Sequence, residues 1–192
     1  MRASSAAAVL TALALAACKP AHLPVKEYVY PAWGFEASFQ APPATKDDPA
    51  GPDGSPHNFL AEAHTHDYDF VVTAFDARND QRGVDAFADS VGPGLAKAVG
   101  GEAQVKTYVA TFENLMGRQI LIEKDGKPFA TMRVFQAGGR YYEVVAVSNY
   151  GPSDPAVDDF LYSFHALDAN GAVTNDIAPA APAANAPSSP SS

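Results

Sequence analysis

Along the chain the apolar positions follow two periods, and the switches between them mark out the elements. In residues 34–40, Phe35, Ala37 and Phe39 alternate with Glu36, Ser38 and Gln40, the signature of a strand with one buried face. Residues 42–56 are rich in Pro, Gly and Asp and read as a loop. Residues 59–66 and 70–76 are strand-like and flank His66-Asp67-Tyr68-Asp69, which predicts a hairpin with a polar tip. From 83 to 99 the period lengthens, and Val84, Phe87, Ala88, Val91 and Leu95 fall on one side of a helix. Pro93 lacks an N–H and clashes with the preceding turn, so it is expected to kink or split that helix.

Beyond Gly100-Gly101, strand-like runs return at 104–113, 119–123, 129–136 and 141–148. Asp125-Gly126 and Gly138-Gly139 separate the last three, and turns this short join antiparallel neighbours. Asp154 followed by Pro155 is an N-cap with proline at the first helical position. The short helix it opens carries Val157, Phe160, Leu161 and Phe164 on one side. The expected architecture is α+β: a single domain over residues 27–167, with a twisted antiparallel sheet covered by two helices. Residues 168–192 are mostly Ala, Pro, Ser and Asn, and are expected to form a disordered tail because they bury too little surface to offset ordering.

Composition narrows the classes of function. Apolar residues make up 47% of the 192, ordinary for a folded domain. The net charge is −9, with 13 basic residues against 22 acidic. Such a chain has few cations to set against phosphates, so no nucleic-acid partner is expected. The single cysteine, Cys18, excludes a disulfide framework, a CxxC redox pair and a cysteine-based zinc site.

Cys18 stands at an informative position. Met1-Arg2 is a short positive start, and residues 6–17 are apolar except for Thr11. Twelve residues suit a signal-peptide core and fall short of the roughly 20 a spanning helix needs. Leu15-Ala16-Ala17-Cys18 then resembles the bacterial lipobox. The competing reading is an ordinary secretory signal with a chance cysteine.

The resemblance implies that residues 1–17 are a lipoprotein signal peptide and that residues 18–26 are a lipidated cysteine and tether. The Cys18 sulfur would take a diacylglyceryl group and its amine an acyl chain (palmitate). Each buried CH₂ adds about 0.8 kcal/mol to anchoring. Lys19, where some lipoproteins carry Asp, resembles an outer-membrane sorting signal. The expectation is a cell-envelope protein lipid-anchored at the outer membrane and facing the periplasm.

The domain itself resembles the PsbP-like group, which includes the photosystem II extrinsic subunit P and DcrB-type envelope lipoproteins. Three features carry the resemblance. One is the opening strand, Gly34-Phe35-Glu36-Ala37-Ser38-Phe39, leading to Pro42-Pro43; Gln40-Ala41-Pro42 departs from the group's Phe-Pro ending. The second is Gly117-Arg118 at a strand start before a hairpin. The third is the close, Phe160-Leu161-Tyr162-Ser163-Phe164-His165-Ala166-Leu167. The resemblance implies a non-enzymatic scaffold or adaptor with no catalytic set to carry over; an envelope protein partner and no cofactor are expected alongside it.

Candidate chemistry is sparse. In a strand, His64 and His66 would share a face and, with Asp67 or Asp69, begin a metal site that His57 or His165 would complete. A metal-binding protein or metal-dependent hydrolase is therefore the alternative function, and a purely structural envelope protein a third. A hydrated hairpin tip accounts for the same residues. Gly92-Pro93-Gly94 is no dinucleotide fingerprint, and no Gly-x-Ser-x-Gly or Walker-type lysine occurs. Asp47, Asp48 and Asp53 fall in the loop, where solvation is the plain reading. Arg118, Arg133 and Arg140 lie on or beside strands near Glu123 and Glu143 and suggest cross-strand ion pairs, with a ligand-binding face as the alternative. Trp33, Tyr28 and Tyr30 suggest an aromatic contact patch, with at least one of them in the core.

Overall fold

The computed structural model describes residues 25–52, 54–78, 80, 82–100, 103–112 and 115–174 of the 192. The signal-like segment, Cys18, Asp53 and the tail from 175 onward lie outside the described residues. Among the described residues, ten strands and two α-helices follow in the order β1 (Lys26–Tyr30), β2 (Phe35–Phe39), β3 (Ala44–Asp48), β4 (Asn58–His64), β5 (Tyr68–Asp76), α1 (Gly83–Val99), β6 (Ala103–Phe112), β7 (Leu115–Lys124), β8 (Lys127–Ala137), β9 (Arg140–Ser148), α2 (Pro155–Tyr162) and β10 (His165–Ala166).

The strands form two antiparallel sheets. The larger has seven strands in the order β3-β4-β5-β9-β8-β7-β6, and the smaller three in the order β1-β2-β10. Helix α1 covers one face of the large sheet, where Phe87 and Ala88 meet Ile120, Ile122, Met132, Val134 and Tyr141. The small sheet and α2 cover the other face, where Phe35, Phe39, Phe160 and Phe164 meet Phe59, Phe70, Phe135 and Tyr142. Residues on β7, β8 and β9 thus alternate between two buried layers.

The α+β reading and the meander agree with this architecture, and four details differ. The opening strand does not join the large sheet. A 3₁₀ turn at Pro31–Trp33, closed by Gly34 at φ 65°, folds β1 back onto β2, and β10 pairs along β2's other side. A Cβ at Gly34 would press on the Leu167 carbonyl and the Tyr142 hydroxyl, each 3.2 Å away, so the position needs glycine for space as well as for φ. Second, the Pro/Gly/Asp segment contains β3, an edge strand whose exposed, charged residues show no alternation to read.

Third, Pro93 does not end α1, which runs unbroken from Gly83 to Val99. The apolar side of the helix is held against the sheet, and Gly92 lets it approach so closely that a Cβ there would stand 3.2 Å from Val105. That packing offsets the one lost backbone bond. Finally, order continues past Leu167. Asp168 accepts from the N–H groups of Asn170 and Ala172, at 2.8 and 2.9 Å, building a turn that returns Val173 to Leu167 and Thr174 to Ala166.

Candidate functional site

The β4–β5 turn was the densest polar cluster in the sequence. Strand β4 ends at His64, and Thr65 closes the turn, its N–H donating to the Tyr68 carbonyl at 2.8 Å and its hydroxyl accepting from the Tyr68 N–H at 3.0 Å. His66 therefore stands on the turn, with its ring 97% exposed, and the same-face pairing of His64 with His66 fails because the strand stops between them. His64 is instead engaged by Asp69 at 2.8 Å through Nδ1 and by Glu62 at 3.5 Å through Nε2. Its hydrogen bond to Asp69 raises the imidazole pKa. His57 sits 2.5 Å from the Asp47 carboxylate and edge-on to Trp33. Among the described residues no set of three or more His, Cys, Asp or Glu is arranged to hold a metal ion.

A cleft of about 630 Å³ opens where the 50–57 segment, the end of β5, the approach to α1 and the start of β9 meet. His57, Phe75, Asp76, Asp80, Arg82 and Tyr141 are among its walls. One wall comes from a pattern the sequence shows plainly, Asp-x-Arg-x-Asp-x-Arg at 76, 78, 80 and 82. Arg78 and Arg82 each fold back on the carboxylate two residues earlier. Their Nε atoms bond both oxygens of Asp76 and Asp80 at 2.9–3.0 Å, and their backbone N–H groups bond the same carboxylates. These bonds hold both carboxyls below their ordinary pKa. Tyr141 stacks on Phe87 at 4.3 Å, and burial raises the pKa of its phenol. The cleft offers a ligand paired charges, an imidazole and aromatic surface.

None of the three strand arginines pairs with Glu123 or Glu143. Arg118 reaches Asp85 on α1 at 2.7 Å, and Arg140 donates to the Ala32 carbonyl at 3.0 Å. Glu123 is instead paired across the strands with Lys106, at 2.6 Å. Arg133 is 3% exposed, its guanidinium 3.5 Å from the Phe112 ring and 4.4 Å from that of Tyr162, and its Nε and Nη1 have no hydrogen-bond acceptor. Glu143 is half-buried between Val134 and Thr73 on neighbouring strands, and burial pushes its carboxyl up to about 7. Trp33 is buried and stacks on Phe59, so the core takes it, while Tyr28 and Tyr30 pack against the core from its margin.

The β6–β7 hairpin carries the exposed apolar surface of the large sheet. Val105, Tyr108, Val109 and Met116 all stand open to solvent there. Strand β6 is the terminal strand of the sheet.

Two antiparallel sheets and two helices packed in two buried layers define a single α+β domain of PsbP-like fold. A solved structure of this fold, the solution structure of cyanobacterial PsbP (CyanoP) from Synechocystis, matches with a TM-score of 0.51 at 13% sequence identity, covering 79% of this chain and 98% of that one. No family model matches the chain, and no relative among curated proteins does.

Proposed function

We propose that the chain is a lipid-anchored envelope protein whose domain is a non-catalytic binding or assembly module. The observation that carries the non-catalytic reading is how the polar side chains are engaged. His57 is held by Asp47, His64 by Asp69, Asp76 by Arg78, Asp80 by Arg82, Asp85 by Arg118 and Glu123 by Lys106. Three of these pairs reach one cleft, yet there each acidic or imidazole group is taken up by its own partner, and no nucleophile–base–orienter relay links them. The lipobox-like Leu15-Ala16-Ala17-Cys18 supports the anchor.

Cys18→Ser tests the anchor. The variant should leave the membrane fraction and keep its N-terminal segment. Retention in membranes with normal processing would contradict the assignment. Crosslinking and pull-down from detergent-solubilised envelopes test the module, with the wild type and Cys18→Ser expected to retain the same stoichiometric partner.

A further inference from the structure

The two edges of the seven-stranded sheet are built differently. At β3, Pro42 and Pro43 precede the strand, Pro49 follows it, and Lys46, Asp47 and Asp48 lie on it. Proline cannot donate to a neighbouring strand and charges resist dehydration, so that edge is guarded against pairing. Strand β6, at the opposite edge, has ten residues and contains no proline and no glycine. Its single charge, Lys106, is already held by Glu123. One side pairs with β7 along the whole strand, and the other turns a row of backbone N–H and C=O groups outward. Val105, Tyr108 and Val109 stand 38%, 50% and 69% exposed along it. A long, neutral, apolar edge is the kind that pairs with another strand.

We propose that β6 is a dimerisation edge, at which two copies of the chain pair antiparallel with Thr107 on the two-fold axis and merge their large sheets into one. The residues on the strand favour a second copy as the occupant. In this register Val105 faces Val109 of the partner subunit, and Lys106 faces Tyr108 of the partner subunit. Directly opposed residues of antiparallel strands share a face. The valines therefore meet on the α1 side, where Val105 already touches the helix at Gly92, and the ammonium group meets a phenol ring on the other side. Gln104 faces Ala110 of the partner subunit, so no like charges stand opposed. The chain carries a net charge of −9, yet β6 bears no carboxylate, and two acidic molecules can approach along this strip without direct repulsion.

The test uses the full chain in a Cys18→Ser background, which leaves no native thiol, in mild detergent. Sedimentation should show a monomer–dimer equilibrium over about a hundredfold range of concentration. Thr107→Lys places two ammonium groups face to face on the axis and should weaken the dimer at least about tenfold. Thr107 is exposed, so the monomer should keep its fold, and at concentrations too low for dimerisation the variant and the wild type should share one thermal midpoint. Thr107→Cys should form an intermolecular disulfide on mild oxidation, because opposed residues of an antiparallel pair fall within disulfide reach. Thr111→Cys should not, since Thr111 faces Ala103 of the partner subunit. A chain that stays monomeric throughout, a dimer indifferent to Thr107→Lys, or equal crosslinking by both cysteine variants would overturn the proposal. So would uptake of a foreign extended peptide along β6 by a chain that never dimerises.

Discussion

Replacing Glu143 by Gln tests the electrostatic reading of the large sheet most directly. The carboxyl is half-buried between Val134 and Thr73, and burial alone moves its pKa from 4.5 to about 7. Over that interval the folded chain keeps a proton that the unfolded chain has released. Stability therefore falls as pH rises from about 4.5 to about 7 and is level above that. At 1.36 kcal/mol per pH unit the loss is up to about 3 kcal/mol. For a domain of this size that is roughly 6–12 °C in thermal midpoint. Glu143→Gln keeps the shape and removes the charge. It should stabilise the protein by up to about 3 kcal/mol near pH 8 and leave it unchanged near pH 4. Urea unfolding is the assay. Trp33, the single tryptophan, is 8% exposed in the core, so its emission reports the transition. A difference that is the same at both pH values, or absent near pH 8, would refute the argument.

Three further outcomes follow from packing and pairing. Gly117→Ala should cost about 1–3 kcal/mol in denaturant unfolding, because the new Cβ meets the Val134 carbonyl oxygen and stands 2.8 Å from the Phe135 ring, and backbone has to move to admit it. Phe160→Ala should cost about 3–5 kcal/mol in the same assay, since the ring is 3% exposed and stacked on Phe70 at 4.5 Å. Asp69→Asn replaces the carboxylate whose charge-assisted hydrogen bond raises the His64 pKa with a neutral acceptor, so the imidazole should titrate at a lower pH by NMR. In the wild type the stabilising contribution of His64 is present at acid pH and is lost as pH rises through its folded pKa, a slope that Asp69→Asn should flatten.

Local chemistry was legible where one residue type dictates one backbone state. The Asp154 side chain caps α2 by accepting from the Ala156 N–H at 2.8 Å, and Asp125-Gly126 joins β7 to β8 with both residues at positive φ. What pairs with β2 was not legible, because β10 joins it from the far end of the chain and only two residues long. Strand β3 was hidden because at a guarded edge neither face is buried, which removes the alternation that identifies a strand. Arg133 misled for the opposite reason. A cation in a strand ordinarily marks the solvent face, yet both faces of β8 are covered, and the ring contacts that hold the guanidinium come from Phe112 and Tyr162 in distant elements. The Asp-Arg repeat of the cleft was present in plain sequence, but a spacing of two in a connecting segment matches neither a helix nor a half-buried strand, so periodicity passed over it.

The small sheet sets how the molecule would bear tension between its two ends. The described chain enters through β1 and leaves just after β10, and both lie against β2. A pull on the ends is thus carried across this three-stranded patch, through five register pairs on the β1 side and two on the β10 side. The closing side yields first, releasing the return turn at Asp168 and then the two-residue strand. The seven-stranded sheet lends no strand to that patch, so the load reaches it only through the packing of the strap and through contacts such as His57 on Trp33.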